Sequence, residues 1–175
     1  MLEINSVVKG FDDKIVLDGV KLTINGGSIF GLVGVNGAGK STLLRCISGI
    51  YKTDEGNVLF DARDTFREEE IRRDIFFAND DPYYPLASNI KSLKEFYASF
   101  YPLDEQMYQK TLKLFGLDEN RQINTFSKGM KRQTLLLFAL SVKPKLLLLD
   151  EAFDGDRKST RLNSSHSTSS RMPYH

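Results

Sequence analysis

The residues Gly34-Val35-Asn36-Gly37-Ala38-Gly39-Lys40-Ser41 follow the spacing G-x-x-x-x-G-K-[ST]. Glycines at this spacing let a backbone close around a triphosphate, so that successive N–H groups point at the oxygens. A helix opening at Lys40 adds the positive end of its dipole. Lys40 supplies a cation to the outer phosphates, and the Ser41 hydroxyl is a Mg²⁺ ligand. The loop from Gly34 to Thr42 is thus read as a triphosphate-binding site. The plain alternative is a glycine-rich turn joining a strand to a helix.

A second constellation lies far downstream. Leu146-Leu147-Leu148-Leu149 runs into Asp150-Glu151. Two acids at the carboxyl end of a buried strand stand where an open α/β sheet binds ligands. Asp150 would hold Mg²⁺ opposite Ser41. Glu151 would act as general base, or orient the water that attacks the γ-phosphate. The alternative is a strand end that is merely solvated. A third element, Phe126-Ser127-Lys128-Gly129-Met130-Lys131-Arg132-Gln133, places a capping serine at a helix start. Its hydroxyl and the Gly129 amide suit a phosphate, although an ordinary helix cap would look the same.

The elements that must position these residues can be read from patterning. Leu2 to Val8 and Ile15 to Ile24 alternate loosely at strand period, with Asp12-Asp13 as the turn between them. Asn25-Gly26-Gly27 marks another turn. Ile29 to Val33 is a short apolar run that predicts a buried parallel strand leading into the phosphate loop. Ser41 to Ser48 predicts a helix, and Gly56 to Asp61 and Ile75 to Ala78 predict strands. From Lys91 to Phe115 the apolar residues Leu93, Phe96, Tyr97 and Phe100 recur at helical spacing. A second helix reaches Phe115 and stops at Gly116. A further helix spans about Ser127 to Leu140, and Lys145 to Leu149 forms a strand. The outline is α/β with a helical insert.

Bulk composition narrows the class. The 175 residues are 41% apolar with a net charge of +1, which supports a packed core and gives no electrostatic case for nucleic acid. The single cysteine, Cys46, permits no internal disulfide and reads as a small buried hydrophobe. No stretch approaches the roughly 20 apolar residues of a membrane span. The opening Met1-Leu2-Glu3-Ile4 does not resemble a signal peptide.

The phosphate loop, the acid pair and the Ser127 motif together resemble the ATP-binding cassette (ABC) ATPases over residues 1–155. The Ser127–Gln133 run is similar to their LSGGQ signature, with Lys128 and Met130 replacing a glycine and a glutamine. That S-K-G-M form resembles bacterial exporter-type subunits. The resemblance implies a P-loop NTPase core with an N-terminal antiparallel β region and a helical subdomain at about 82–140. It implies ATP and Mg²⁺ as ligands, with Ser127, Lys128, Gly129 and Met130 contacting the nucleotide of a partner. Phe11 corresponds to the aromatic that stacks on adenine, although a core phenylalanine would fit the same sequence. Asp80 falls where the family has a Mg²⁺-binding glutamine, and Tyr83 and Tyr84 follow on a surface expected to dock on a membrane subunit.

The family mechanism implies a head-to-tail dimer with a second ATP-binding domain, homo- or heteromeric, driving an integral membrane transporter subunit. The expected location is cytoplasmic, peripheral on the inner face of the membrane, with no nucleic-acid partner. A soluble ABC protein of translation, repair or chromosome maintenance is the alternative, and a small-molecule P-loop kinase is disfavoured by the signature. Beyond Gly155 the family pattern of a Leu-Asp pair, a helix and a strand ending in a histidine is not followed. Residues 156–175 carry Arg157, Lys158, Arg161 and Arg171 against one acid, Asp156. The run DRKSTRLNSSH resembles the translation of a sequencing adapter, so this tail is expected to be non-native and disordered and the chain a weak ATPase.

Overall fold

The computed structural model describes residues 1–79 and 82–150. Asp80, Glu151 and the tail 156–175 therefore lie outside the described residues.

The chain opens with strand β1 (Leu2–Phe11), a two-residue turn and β2 (Lys14–Ile24). Helix α1 (Lys40–Ile47) follows the phosphate loop, then β3 (Glu55–Phe60) and a short β4 (Arg63–Asp64). These strands form an antiparallel sheet in the order β2-β1-β3-β4. A 3₁₀ turn at Glu69–Asp74 leads into β5 (Ile75–Ala78). Three helices come next: α2 (Ile90–Ala98), α3 (Glu105–Phe115) and α4 (Lys128–Ser141). The chain then returns as β6 (Leu146–Leu149), parallel to β5, with Ile75 opposite Leu146 and Ala78 opposite Leu149.

Local chemistry explains the helix ends. Asn89 and Ser92 form a reciprocal capping box at α2, with bonds of 2.8 and 3.1 Å. Asp104 caps α3 through the Met107 N–H at 2.9 Å, and Gly116 ends it at φ 62°. Ser127 caps α4 by accepting from the Met130 N–H at 3.2 Å.

Period two in the β5–β6 pair divides the interior into two cores. Phe76, Ala78, Leu147 and Leu149 face one way, into the cluster of α2, α3 and α4 that includes Tyr108, Leu137 and Phe138. Ile75, Phe77, Leu146 and Leu148 face the other way, onto α1 and the antiparallel sheet, with Ile4, Val7 and Leu43. The phosphate-loop helix and the helical insert thus lean on opposite faces of one ribbon.

One expected element is not formed. Ile29 to Val33, read as a buried parallel strand, has no strand structure, and Ile29 and Val33 are almost fully exposed, at 104% and 95%. An apolar run becomes a strand only when its N–H and C=O groups meet a ladder. Among the described residues β5 and β6 pair with each other, and neither pairs with Ile29 to Val33. Another departure is at an element bound: β1 continues to Phe11. The helical stretch from Lys91 divides into two helices, as expected.

Candidate functional site

The phosphate loop emerges on the exposed side of α1. Gly37 and Gly39 have φ of 83° and 86°, a conformation costly for side chains with a Cβ. Gly39 also touches the sheet: a Cβ there would lie 2.9 Å from the Val16 carbonyl oxygen. A Cβ at Gly37 would meet open space, so its glycine serves the turn alone. The Ala38 N–H donates to the Val35 carbonyl at 3.1 Å, closing the loop. Gly34, Val35, Asn36, Gly37 and Ala38 are exposed, and Gly39, Lys40, Ser41 and Thr42 are half-buried at the helix start.

Lys40 folds back over this loop. Its ammonium donates to the carbonyls of Gly34 at 2.8 Å and Val35 at 2.9 Å. A cation is therefore held directly above the loop by two neutral acceptors, which an anionic ligand would outcompete.

The second carboxylate motif arrives from β6. The Asp150 N–H donates to the Ala78 carbonyl at 2.9 Å, one step beyond the β5–β6 ladder. Asp150 is buried, and its carboxylate accepts from the Ser41 hydroxyl at 2.9 Å. A hydroxyl and a carboxylate at this spacing, beside a phosphate loop, are a hard oxygen-donor pair suited to Mg²⁺. Among the described residues no group of three His, Cys, Asp or Glu side chains is assembled around a metal position.

The other predicted site residues that are described make their own contacts elsewhere. Phe11, at the end of β1, is 41% exposed rather than in the core; its ring meets Tyr51 edge-on at 5.4 Å, and Lys9 lies over it at 5.3 Å. Ser127, Lys128 and Gly129 are exposed at the start of α4, and Met130 is half-buried against the helical core. The hydrogen bond that the Ser127 hydroxyl accepts is local to that helix start.

Tyr84 departs from the expectation that it faces a partner. It packs against the helical core, and its hydroxyl donates to the Lys131 carbonyl in the first turn of α4 at 2.9 Å. Burial pushes its phenol well above the ordinary tyrosine value. Tyr83 remains exposed at 85%. Patterning could not separate the two tyrosines, because the segment has no regular period. Asp54 was also missed, and its two contacts on β1 lie more than forty positions away in sequence.

A glycine-rich loop between sheet and helix, with its lysine and serine set against a strand-end aspartate, defines a P-loop nucleotide-binding protein of the α/β class. The family model described as ABC transporter matches residues 17–154. The chain belongs to the ABC transporter family, as its ATP-binding part. It is 34% identical over 163 residues to the ABC transporter ATP-binding protein YtrB of Bacillus subtilis, covering 92% of this chain and 56% of that protein. It is 35% identical over 171 residues to the methionine import ATP-binding protein MetN of Clostridium acetobutylicum, covering 87% and 51%. The chain thus spans about half the length of these curated relatives.

Solved structures agree in fold. One described as an ATP-binding subunit of an ABC transporter superposes with a TM-score of 0.79 at 27% identity, over 88% of this chain and 67% of the other. A dimeric post-hydrolysis state of the ATP-binding cassette MJ0796, bound to ADP and Pi, gives 0.75 at 25% identity over 91% and 78%.

Proposed function

We propose that this chain is the ATP-binding and ATP-hydrolysing part of an ABC transporter subunit that powers a separate membrane subunit. The observation that carries the reading is the 2.9 Å contact between Ser41 and Asp150 at the mouth of the phosphate loop. Lys40 and the loop amides bind the phosphates, and Phe11 stacks on the base. Ser41 and Asp150 would hold Mg²⁺, with Asp80 as a further ligand, and an ion bound there would neutralise charge on the outer phosphates. Glu151 receives a proton from the attacking water or orients it.

Ser127, Lys128, Gly129 and Met130 contact nucleotide bound to a second ATP-binding domain in a head-to-tail dimer. Their exposure at a helix start supports this, because such amides are free to meet a phosphate from outside the chain. Residues 82–140 act as the helical subdomain, a division supported by the separate core that α2, α3 and α4 share. The exposed Tyr83 and Leu86 offer an apolar surface to the membrane subunit. The chain is attached peripherally on the cytoplasmic side of the membrane through that partner; no helix among the described residues is long and apolar enough to cross a membrane.

Titration of the chain with a fluorescent ATP analogue in Mg²⁺ tests the site. Lys40→Ala removes a charge-assisted contact worth about 1.5–3 kcal/mol, so affinity should fall by roughly 10- to 150-fold. An unchanged dissociation constant would dismiss the phosphate-loop assignment.

A further inference from the structure

We propose that Asp54 is a positioning residue for recognition of the nucleotide base: it clips the end of β1 so that Phe11 offers a ring face to the base. The inference rests on the reading that the base stacks on Phe11.

Three consecutive residues of β1 converge on Asp54. Its own N–H donates to the Val8 carbonyl at 2.9 Å. One carboxylate oxygen accepts from the Lys9 ammonium at 2.8 Å, and the other from the Gly10 N–H at 2.8 Å. The next residue is Phe11.

The strand needs such a clip at this point. Pairing between β1 and β2 shifts register between Val7 and Lys9 and again between Lys9 and Gly10, and the β1–β3 ladder is irregular between Asn5 and Val8. Bulged pairing leaves residues unpaired and re-aims the side chains beyond it. The strand then ends at a turn in which Asp12 has φ 52°. Past the last shift Gly10 and Phe11 pair in register with Ile15 and Lys14, and the Asp54 carboxylate bridges Lys9 and Gly10, the two residues on either side of that shift.

The surroundings of the ring follow from the clip. Lys9, held by Asp54, lies over the Phe11 ring at 5.3 Å. Tyr51 forms a T-shaped pair with it at 5.4 Å between ring centroids, and Arg45 of α1 lies over Tyr51 at 5.8 Å. Phe11 is thus tied on one side to the helix that begins in the phosphate loop. Phe11 is 41% exposed, which leaves part of the ring open to a planar ligand. The Lys9 bond first, and the Gly10 N–H second, hold the Asp54 carboxyl below its ordinary value, so the clip is ionised at neutral pH.

The test compares ATP with inorganic tripolyphosphate, which offers phosphates without a base. Both are titrated against the 175-residue chain and its Phe11→Ala, Asp54→Ala and Asp54→Asn variants, with thermal melts alongside. Phe11→Ala should weaken ATP by about 5- to 150-fold, the scale of an aromatic stack on a base, and leave tripolyphosphate unchanged. Asp54→Ala should weaken ATP by about 3- to 10-fold, again sparing tripolyphosphate, and add nothing when combined with Phe11→Ala. Should Asp54→Ala not fold, Asp54→Asn decides by the same ratio, since it keeps the volume and drops the ion pair. An unshifted ATP-to-tripolyphosphate ratio in the Asp54 variants, with Phe11→Ala shifting it, overturns the clip and leaves the stack standing. A parallel loss on both ligands also overturns it, as the mark of a purely structural role. An unshifted ratio in Phe11→Ala removes the stacking reading, and the clip falls with it.

Discussion

The Ser41 hydroxyl donates to the Asp150 carboxylate at 2.9 Å across a sequence separation of 109 residues. Ser41 belongs to the helix after the phosphate loop and Asp150 to the end of β6. The bond therefore joins the antiparallel side of the molecule to the β5–β6 ribbon at the point where phosphates would arrive. Ser41→Ala should cost about 0.5–1.5 kcal/mol of folding stability, the net worth of one hydrogen bond. It should also shrink the difference between ATP affinities measured in Mg²⁺ and in EDTA. A variant whose affinity keeps its full Mg²⁺ dependence would take Ser41 out of the metal site.

Glu151 follows Asp150 directly, and its expected task is in turnover. Glu151→Gln keeps shape and polarity and discards the base. Steady-state hydrolysis by the assembled transporter should fall by about 10²–10⁴, with ATP affinity retained. Turnover at the parent rate would end that assignment.

Tyr84 ties the segment after Asp81 to the first turn of α4, two residues beyond Gly129. Tyr84→Phe should lower stability by about 0.5–1.5 kcal/mol, read as an earlier denaturation midpoint. Burial raises the phenols of Tyr84, Tyr97 and Tyr108 above their ordinary value. A folded-state value raised above the unfolded one gives stability that is whole below about pH 10 and is lost as pH climbs further. Alkaline melts should therefore decline, and the Tyr84→Phe curve should decline less. Parallel curves would remove Tyr84 from the cause.

The acid limb has the opposite sign. Asp104 is held below the ordinary carboxylate value first by its bond to Lys143 and then by the Met107 N–H it caps. Asp54 and Glu68 are lowered as well, by Lys9 and Arg63 respectively. A depressed folded-state value gives stability that is whole above about pH 4 and is lost as pH falls below it. Melts between pH 5 and about pH 2.5 should show this loss, and Asp104→Asn should flatten part of the slope. An unaltered slope would show that the cap does not contribute.

Chemistry carried by contiguous residues was legible in the sequence. The phosphate loop, the strand before Asp150 and the capping serine at 127 each lie within a few positions, and local geometry follows from local spacing. Strands β1, β2, β5 and β6 were legible for the same reason. Ile29 to Val33 misled because periodicity reports side chains and says nothing of whether a ladder is present. The 3₁₀ turn at Glu69–Asp74 was hidden in a charged run without period. The inward turn of Tyr84 and the bonds of Asp54 to β1 depend on residues distant in sequence, and composition carries no trace of them.

The exposed apolar stretch at Ile29 to Val33 also bears on how the protein is made. These residues leave the ribosome early, and nothing described between Gly34 and Leu149 covers them. At a synthesis rate of ~5–20 residues per second, an apolar, β-prone stretch waits on the order of ten seconds in the open. Neighbouring nascent chains on one message would display the same stretch side by side, ready to pair with each other. Widening the spacing of ribosomes, or supplying a holding chaperone during translation, should then raise the soluble yield of this chain more than any change at its nucleotide site.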